Sequence, residues 1–343
     1  MDGESTSTLY RAGRRGRAGR GKKRRRWGRV AALTLLVVVL LVAAALGATY
    51  LWAGSRLQET GALAGYSGRP AAGKGTNWLI VGSDTRSGLT GKEREELHVG
   101  GGGRRNTDTV MVLHHGEAGP YLVSIPRDSY VAVPGHGRGK VNSAYALGGP
   151  KLLSRTVEQA TGLRLDRYAE VDFLGFTHVV DALDGVRVCL DKPLRDKKAG
   201  ADLRAGCQAL NGKQALAFVR ARYSDPEGDL GRVKRQRELL SALVREGTGA
   251  SAVLDPFRLH SFLGAALDAV TVDHGSGVMS LTRMAWEVRG LTGGEGGTTT
   301  VPVKNAGLSV PGAGDVVAWD AREARELFNQ LRRDVPITAT TVK

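Results

Sequence analysis

From Val30 to Ala53 the chain reads VAALTLLVVVLLVAAALGATYLWA, 24 residues without a charge. As a helix this run is ~36 Å long, enough to cross a hydrocarbon core of about 30 Å with some tilt. Ala43-Ala44-Ala45 resembles a signal-peptidase site, but the run exceeds the ~7–15 residues of a signal-peptide core and reads as an uncleaved anchor. Tyr50 and Trp52 stand where an interfacial aromatic belt is expected. Residues 1–29 hold eleven Lys/Arg against two acids, so +9 of the net charge of +15 precedes the apolar run. The positive-inside rule then makes the N-terminus cytoplasmic and places everything after residue 54 outside the cell membrane. Topology and attraction to the anionic lipid bilayer account for this basic block, so no nucleic-acid partner is expected.

At 41% hydrophobic and 24% charged residues, the chain is not a disordered tail, a collagen-like fibre or a polytopic membrane protein. The domain plan is a basic tail (1–29), a transmembrane helix (30–53), a flexible stalk (54–75) with six glycines and a proline, and an exported domain (76–343). Cys189 and Cys207 both fall in the exported part, where an oxidising compartment favours one disulfide; neither has the spacing of a zinc ligand.

Within the exported domain, short apolar runs alternate with amphipathic stretches. Trp78–Val81, Val110–His115, Tyr121–Ile125, Val186–Leu190 and 298–303 read as strands. Helices are expected from Pro150 to the Gly162 stop, from an Asp172 cap through Leu183, from an Asn211 cap through Val219, from Asp229 through Leu243, and over 257–270, 278–291 and 321–331. This alternation predicts an α/β layered domain. Gly100–Gly103 lacks the strand–loop–helix context of a phosphate-binding loop and reads as a mobile loop.

Asp84 and Asp108 sit at strand edges, where ligand crevices form in α/β sheets. Two carboxylates meeting there suit a hard cation such as Mg²⁺; the bland alternative is that each caps a turn. Arg127 follows a strand end, and Arg220 and Arg222 flank a helix end. Asp229, Arg232, Arg235 and Gln236 share an arc of about 120° on one helix face that continues into Leu239, Leu240 and Leu243. Guanidinium groups at the start of an apolar face need a partner. A pyrophosphate would satisfy them by bidentate contacts, and so would salt bridges to Asp225, Glu227 or Glu238.

The strings NWLIVGSDTR, NTDTVMVLHH, VSIPRDSYV, KVNSAYALGGP, VDALDGVRV and GCQALNGKQALAFVRARYSDPEGDLGRVKRQ resemble the LytR–CpsA–Psr (LCP) family, densely from 77 to 245. The resemblance implies a layered α-β-α domain with a central mixed sheet behind one transmembrane helix. It also implies transfer of a phosphoglycopolymer from a polyprenyl-pyrophosphate carrier to peptidoglycan, forming a phosphodiester. On that basis Asp84 and Asp108 hold Mg²⁺, with Mn²⁺ as a substitute, and act catalytically with Arg127 and Arg232. Arg127, Arg220, Arg222, Arg232, Arg235 and Gln236 surround the pyrophosphate, with Arg86 and Lys140 more peripheral, and apolar faces of the domain hold the lipid chain. Asn106 stands where members usually carry Arg, with Arg104 or Arg105 as substitutes. A non-catalytic receptor for lipid-linked wall precursors and a pyrophosphate hydrolase are the alternatives.

Overall fold

The computed structural model describes residues 20–84, 107–221, 229–247, 249, 255–293 and 296–337. Gly100–Gly103, Arg86, Arg104, Arg105, Asn106 and Arg222 lie outside the described residues, as does the Arg232 side chain. The chain divides into two units, Met1–Trp52 and Ala53–Lys343. In the first, helix α1 (Arg20–Arg56) begins ten residues ahead of the apolar run, because Arg and Lys are good helix formers and nothing in the basic block breaks the helix. Its stretch Arg29–Arg56 is long and apolar enough to cross a membrane. The Thr34 and Thr49 hydroxyls donate to the carbonyls of Val30 and Ala45, four residues back, which satisfies the two threonine hydroxyls of the apolar run without water.

The second unit is built on a mixed seven-stranded sheet. Its strands are β1 (Gln58–Thr60), β2 (Thr76–Ser83), β3 (Thr107–His115), β4 (Tyr121–Ile125), β7 (Arg167–Asp172), β12 (Val270–Asp273) and β13 (Gly297–Thr300), in the order β1-β12-β7-β2-β3-β4-β13. β2 pairs parallel with β7 and antiparallel with β3, and β3 pairs antiparallel with β4. The carboxyl ends of β2, β4 and β7 and the amino end of β3 therefore share one edge of the sheet.

Helices cover both faces. On one, α2 (Val141–Thr161) and α8 (Ala321–Arg333) bury Leu153, Val157, Leu327 and Phe328 against Leu79, Val81, Val112 and Val123. On the other, α5 (Asp229–Gly247) and α7 (Val278–Gly293) set Leu240, Val244 and Val288 against Trp78, Met111, Leu113 and Leu122. Alternation along β2 and β3 sends successive side chains to opposite helix layers, which is why these strands read as continuous apolar runs. The layered α-β-α architecture with a mixed sheet is as expected.

A second core gathers α3 (Phe173–Ala182), α4 (Gly212–Arg220), part of α5 and two antiparallel ribbons. These are β8 (Val186–Leu190) with β11 (Gly206–Leu210), and β9 (Leu194–Asp196) with β10 (Ala201–Leu203). Cys189 and Cys207 stand directly opposite each other in the first ribbon and are joined as a disulfide. Cutting that bond by Cys189→Ala lowers stability by about 3 kcal/mol, the value for a loop of this size, and shows as a lower urea midpoint.

Several expectations need correction. Residues 54–75 were expected to be a flexible stalk, yet Gln58–Thr60 pairs with β12 and Ala62 is buried in the main core. Arg69 adds contacts to Glu158 (2.9 Å) and the Leu165 carbonyl (2.7 Å). Glycine content alone does not reveal that a sheet edge is there to be paired. The helix expected from Pro150 is the second half of α2, which breaks at Gly148 and Gly149 (φ 64°, ψ −158°). β5 (Tyr130–Val133) with β6 (Gly137–Lys140), and β14 (Val303–Val310) with β15 (Gly314–Trp319), form further hairpins that the sequence pattern did not indicate. α6 (Pro256–Ala269) starts at an Asp255 cap near the expected boundary.

Candidate active site

The β2–β3 ladder slips by one residue at the shared edge. Gly82 pairs with Thr109 and Ser83 with Thr107, leaving Asp108 as the extra residue of a bulge. The Thr107 hydroxyl lies 3.0 Å from the Gly82 carbonyl and 2.8 Å from that of Thr109, which pins the bulge. A Cβ at Gly82 would meet the Thr109 side chain at 2.9 Å, so glycine is required for this close approach. Bulges re-aim side chains, and here the Asp108 carboxylate meets Arg127, just past β4, with Nη1 to Oδ1 at 2.5 Å. Asp84, 8% exposed, follows β2 at the same edge.

Arg127 is held from both sides. Its Nε lies 3.4 Å from Asp128 Oδ2, and Asp128 Oδ1 lies 3.0 Å from Lys140 Nζ. Behind this chain of charges, the Val317 N–H donates to the Asp128 carbonyl (2.9 Å) and Trp319 Nε1 donates to Ser129 Oγ (2.8 Å). The β14–β15 hairpin thus braces the Arg127–Ser129 turn. Arg220 ends α4 with its guanidinium 5.3 Å from the Phe173 ring centre. Gln236 donates to the Asp108 carbonyl at 3.5 Å.

Arg235 belongs elsewhere. Its guanidinium donates to the carbonyls of Phe218 (3.2 Å) and Ala221 (2.5 Å), capping the C-terminal end of α4, and it does not line the polar cavity. Helical periodicity put it on the phosphate side, but the unsatisfied carbonyls of a helix end compete for a guanidinium.

Two cavities meet at this edge. A polar one of about 260 Å³ is walled by Asp108, Arg127 and Arg220 and, from the β9–β10 turn, by Asp196 and Lys198. An apolar one of about 220 Å³ runs between β2, β7 and helices α3 to α6, with Ile80, Phe176, Leu239, Leu243 and Ala266 in its wall. Thr109, Phe173, Val219 and Gln236 line both. Asp172 caps α3 by accepting from the Gly175 N–H (2.7 Å) and borders the apolar cavity. Burial pushes its carboxyl up from the usual range, against the pull of that N–H. Of the site residues, Asp128, Asp196 and Lys198 were not expected. Asp128 adjoins Arg127 in sequence, whereas only the folded ribbon brings the other two here.

Among the described residues no group of three His, Cys, Asp or Glu could by itself hold a metal. Asp84 and Asp108 at adjacent strand ends supply the one or two carboxylates that Mg²⁺ takes when phosphate oxygens and water complete its shell, so the donor set fits that ion.

At this edge a cavity walled by the carboxylates of Asp108 and Asp196 and the cationic Arg127, Lys198 and Arg220 adjoins an apolar one. The chain belongs to the LytR_cpsA_psr family, whose model matches residues 56–333. It is 42% identical to a probable cell wall biosynthesis protein, LcpB, of Corynebacterium glutamicum, over 93% of this chain and 74% of that one. Its fold is similar to a LytR-Csp2A-Psr enzyme from Actinomyces oris (TM-score 0.62, 19% identity, 80% of this chain and 96% of that one). It is also similar in fold to TagT bound to LIIa-WTA (TM-score 0.57, 23% identity, 76% and 91%).

Proposed function

We propose that this protein is a membrane-anchored transferase of cell-wall glycopolymers, moving a phosphoglycopolymer from a polyprenyl-pyrophosphate carrier to peptidoglycan. The observation that carries this reading is the junction of the apolar and polar cavities at Thr109, Phe173, Val219 and Gln236. A lipid chain fits the first and its pyrophosphate the second. Family membership, the wall-biosynthesis relative and the LIIa-WTA bound to TagT support the same substrate class. The basic N-terminal block supports a single-pass arrangement with this domain outside.

In this mechanism Arg127 and Arg220 hold the pyrophosphate and take up charge as it develops on the leaving phosphate. Arg222 and Arg232 are assigned to the same task by family resemblance. Asp84 and Asp108 would hold Mg²⁺, which when bound neutralises charge on the phosphate oxygens. An acceptor-sugar hydroxyl attacks the glycan-linked phosphorus, the bridging P–O bond breaks, and polyprenyl phosphate leaves. The apolar cavity keeps water from the lipid side of the reacting phosphate.

The test incubates the purified full-length chain in detergent with a geranylgeranyl-pyrophosphoryl oligosaccharide, Mg²⁺ and peptidoglycan. The expected products are geranylgeranyl phosphate and wall-linked sugar in equal amounts. Monophosphate without linked sugar would make the protein a hydrolase, and retention of intact donor would make it a receptor.

A further inference from the structure

The transferase reading leaves open which phosphate each guanidinium serves, and the junction of the two cavities narrows the choice. Of Thr109, Phe173, Val219 and Gln236, which line both cavities, Phe173 alone is aromatic. It is the first residue of α3, directly after the Asp172 cap, so a strand end and a helix start together fix its backbone. It is 7% exposed and packs with Leu216, and Val219 lies against the pair. Leu216 and Arg220 are four apart on α4 and so share one face of that helix. That face meets the ring, and the Arg220 guanidinium carbon lies over it, 5.3 Å from its centre. Arg235 fixes the same end of α4 through the carbonyls of Phe218 and Ala221.

We infer that Phe173 is a positioning residue that acts through Arg220, an assignment resting on the transferase reading. Its ring aims the guanidinium at the phosphate next to the lipid. Arg220 walls the polar cavity alone, whereas Phe173 walls both. The stacked pair therefore stands where the lipid chain ends and its pyrophosphate begins. An aromatic face attracts a cation through its quadrupole but offers no lone pair to the guanidinium N–H groups. The ring thus orients Arg220 without competing with phosphate oxygens for those donors. Negative charge grows on the lipid-side phosphate as its bridging bond breaks, so a cation aimed there stabilises the transition state more than the bound donor.

Phe173→Leu keeps an apolar side chain at the junction and removes the ring face. Full-length protein in detergent is given geranylgeranyl-pyrophosphoryl-N-acetylglucosamine, Mg²⁺ and peptidoglycan, and release of geranylgeranyl phosphate is read per folded molecule. The expected fall in kcat is about thirtyfold, equivalent to ~2 kcal/mol at 1.4 kcal/mol per decade, the scale of a desolvated cation–π contact. KM for the donor stays nearly unchanged, because ground-state binding is kept. Phe173→Tyr, which keeps the face, restores most of the rate. Phe173→Met, a flexible filler of the same space, repeats the loss and stands in if the Leu variant folds poorly. The deciding measurement is the double-mutant cycle with Arg220→Ala, in which there is no guanidinium left to aim. There Phe173→Leu should cost little more, a coupling of about tenfold or greater. If Phe173→Leu keeps the wild-type kcat, or the coupling falls short of that, the ring only packs and the assignment is overturned. A wild-type chain that binds the donor yet releases no geranylgeranyl phosphate instead overturns the transferase reading itself.

Discussion

Arg127→Ala is expected to lower single-turnover release of polyprenyl phosphate by about 10²–10³-fold, or ~2–4 kcal/mol, the scale of one preorganised charge-stabilising contact. The melting temperature is expected to move little. Arg127 and Asp108 are each only about three-quarters buried, with side-chain exposures of 23% and 22%, and ion pairs that retain solvent contribute about 0–1 kcal/mol to stability. The large loss arises because the guanidinium sits between two carboxylates at the cavity wall, where it can grip phosphate oxygens in a bidentate manner. Arg127→Lys should recover part of the rate, since a point charge keeps the attraction but not the fork. If Arg127 only neutralises Asp108 and Asp128, the Ala variant melts earlier and keeps its turnover per folded molecule. Differential scanning calorimetry beside the release assay separates these outcomes.

What could be read from the sequence was whatever is local. The Asn211 cap of α4 appears as a full capping box with Gln214, and the Asp172 cap of α3 forms as read. Both depend on side chain and backbone within a single turn. Pro150 marks a real helix start because Gly148 and Gly149 break the helix just before it. Asp108, Arg127, Arg220 and Gln236 converge, but spacing alone did not bring them together, and the family resemblance carried that assignment. The illegible part is tertiary. The bulge that turns Asp108 toward Arg127 exists only once β2 and β3 pair out of step. Asp196 and Lys198 come from a ribbon with three-residue strands, too short for alternation to register. Arg235 shows the converse: helical spacing gave its face, and the sequence indicated where α4 ends, but not that the carbonyls of that end lie against the Arg235 guanidinium.

Ala266→Phe, placed in the wall of the apolar cavity, tests whether that cavity is a lipid site or a packing gap. A polyprenyl chain bound there gains about 0.8 kcal/mol per buried methylene. A phenyl ring displacing two or three methylenes therefore costs ~2 kcal/mol of donor binding, roughly thirtyfold at 1.4 kcal/mol per decade. Because the lipid is held equally in ground and transition states, the loss should fall on KM and leave kcat nearly unchanged. A donor with a methyl group in place of the polyprenyl chain should react with the variant and the wild type alike, since it never enters the cavity. A packing gap predicts the reverse. Filling it would restore dispersion contacts and raise the melting temperature, with KM for the long-chain donor unaltered. Kinetics with both donors, read beside melting curves, distinguish the two, and an unchanged KM for the long-chain donor would place the carrier lipid elsewhere on the domain.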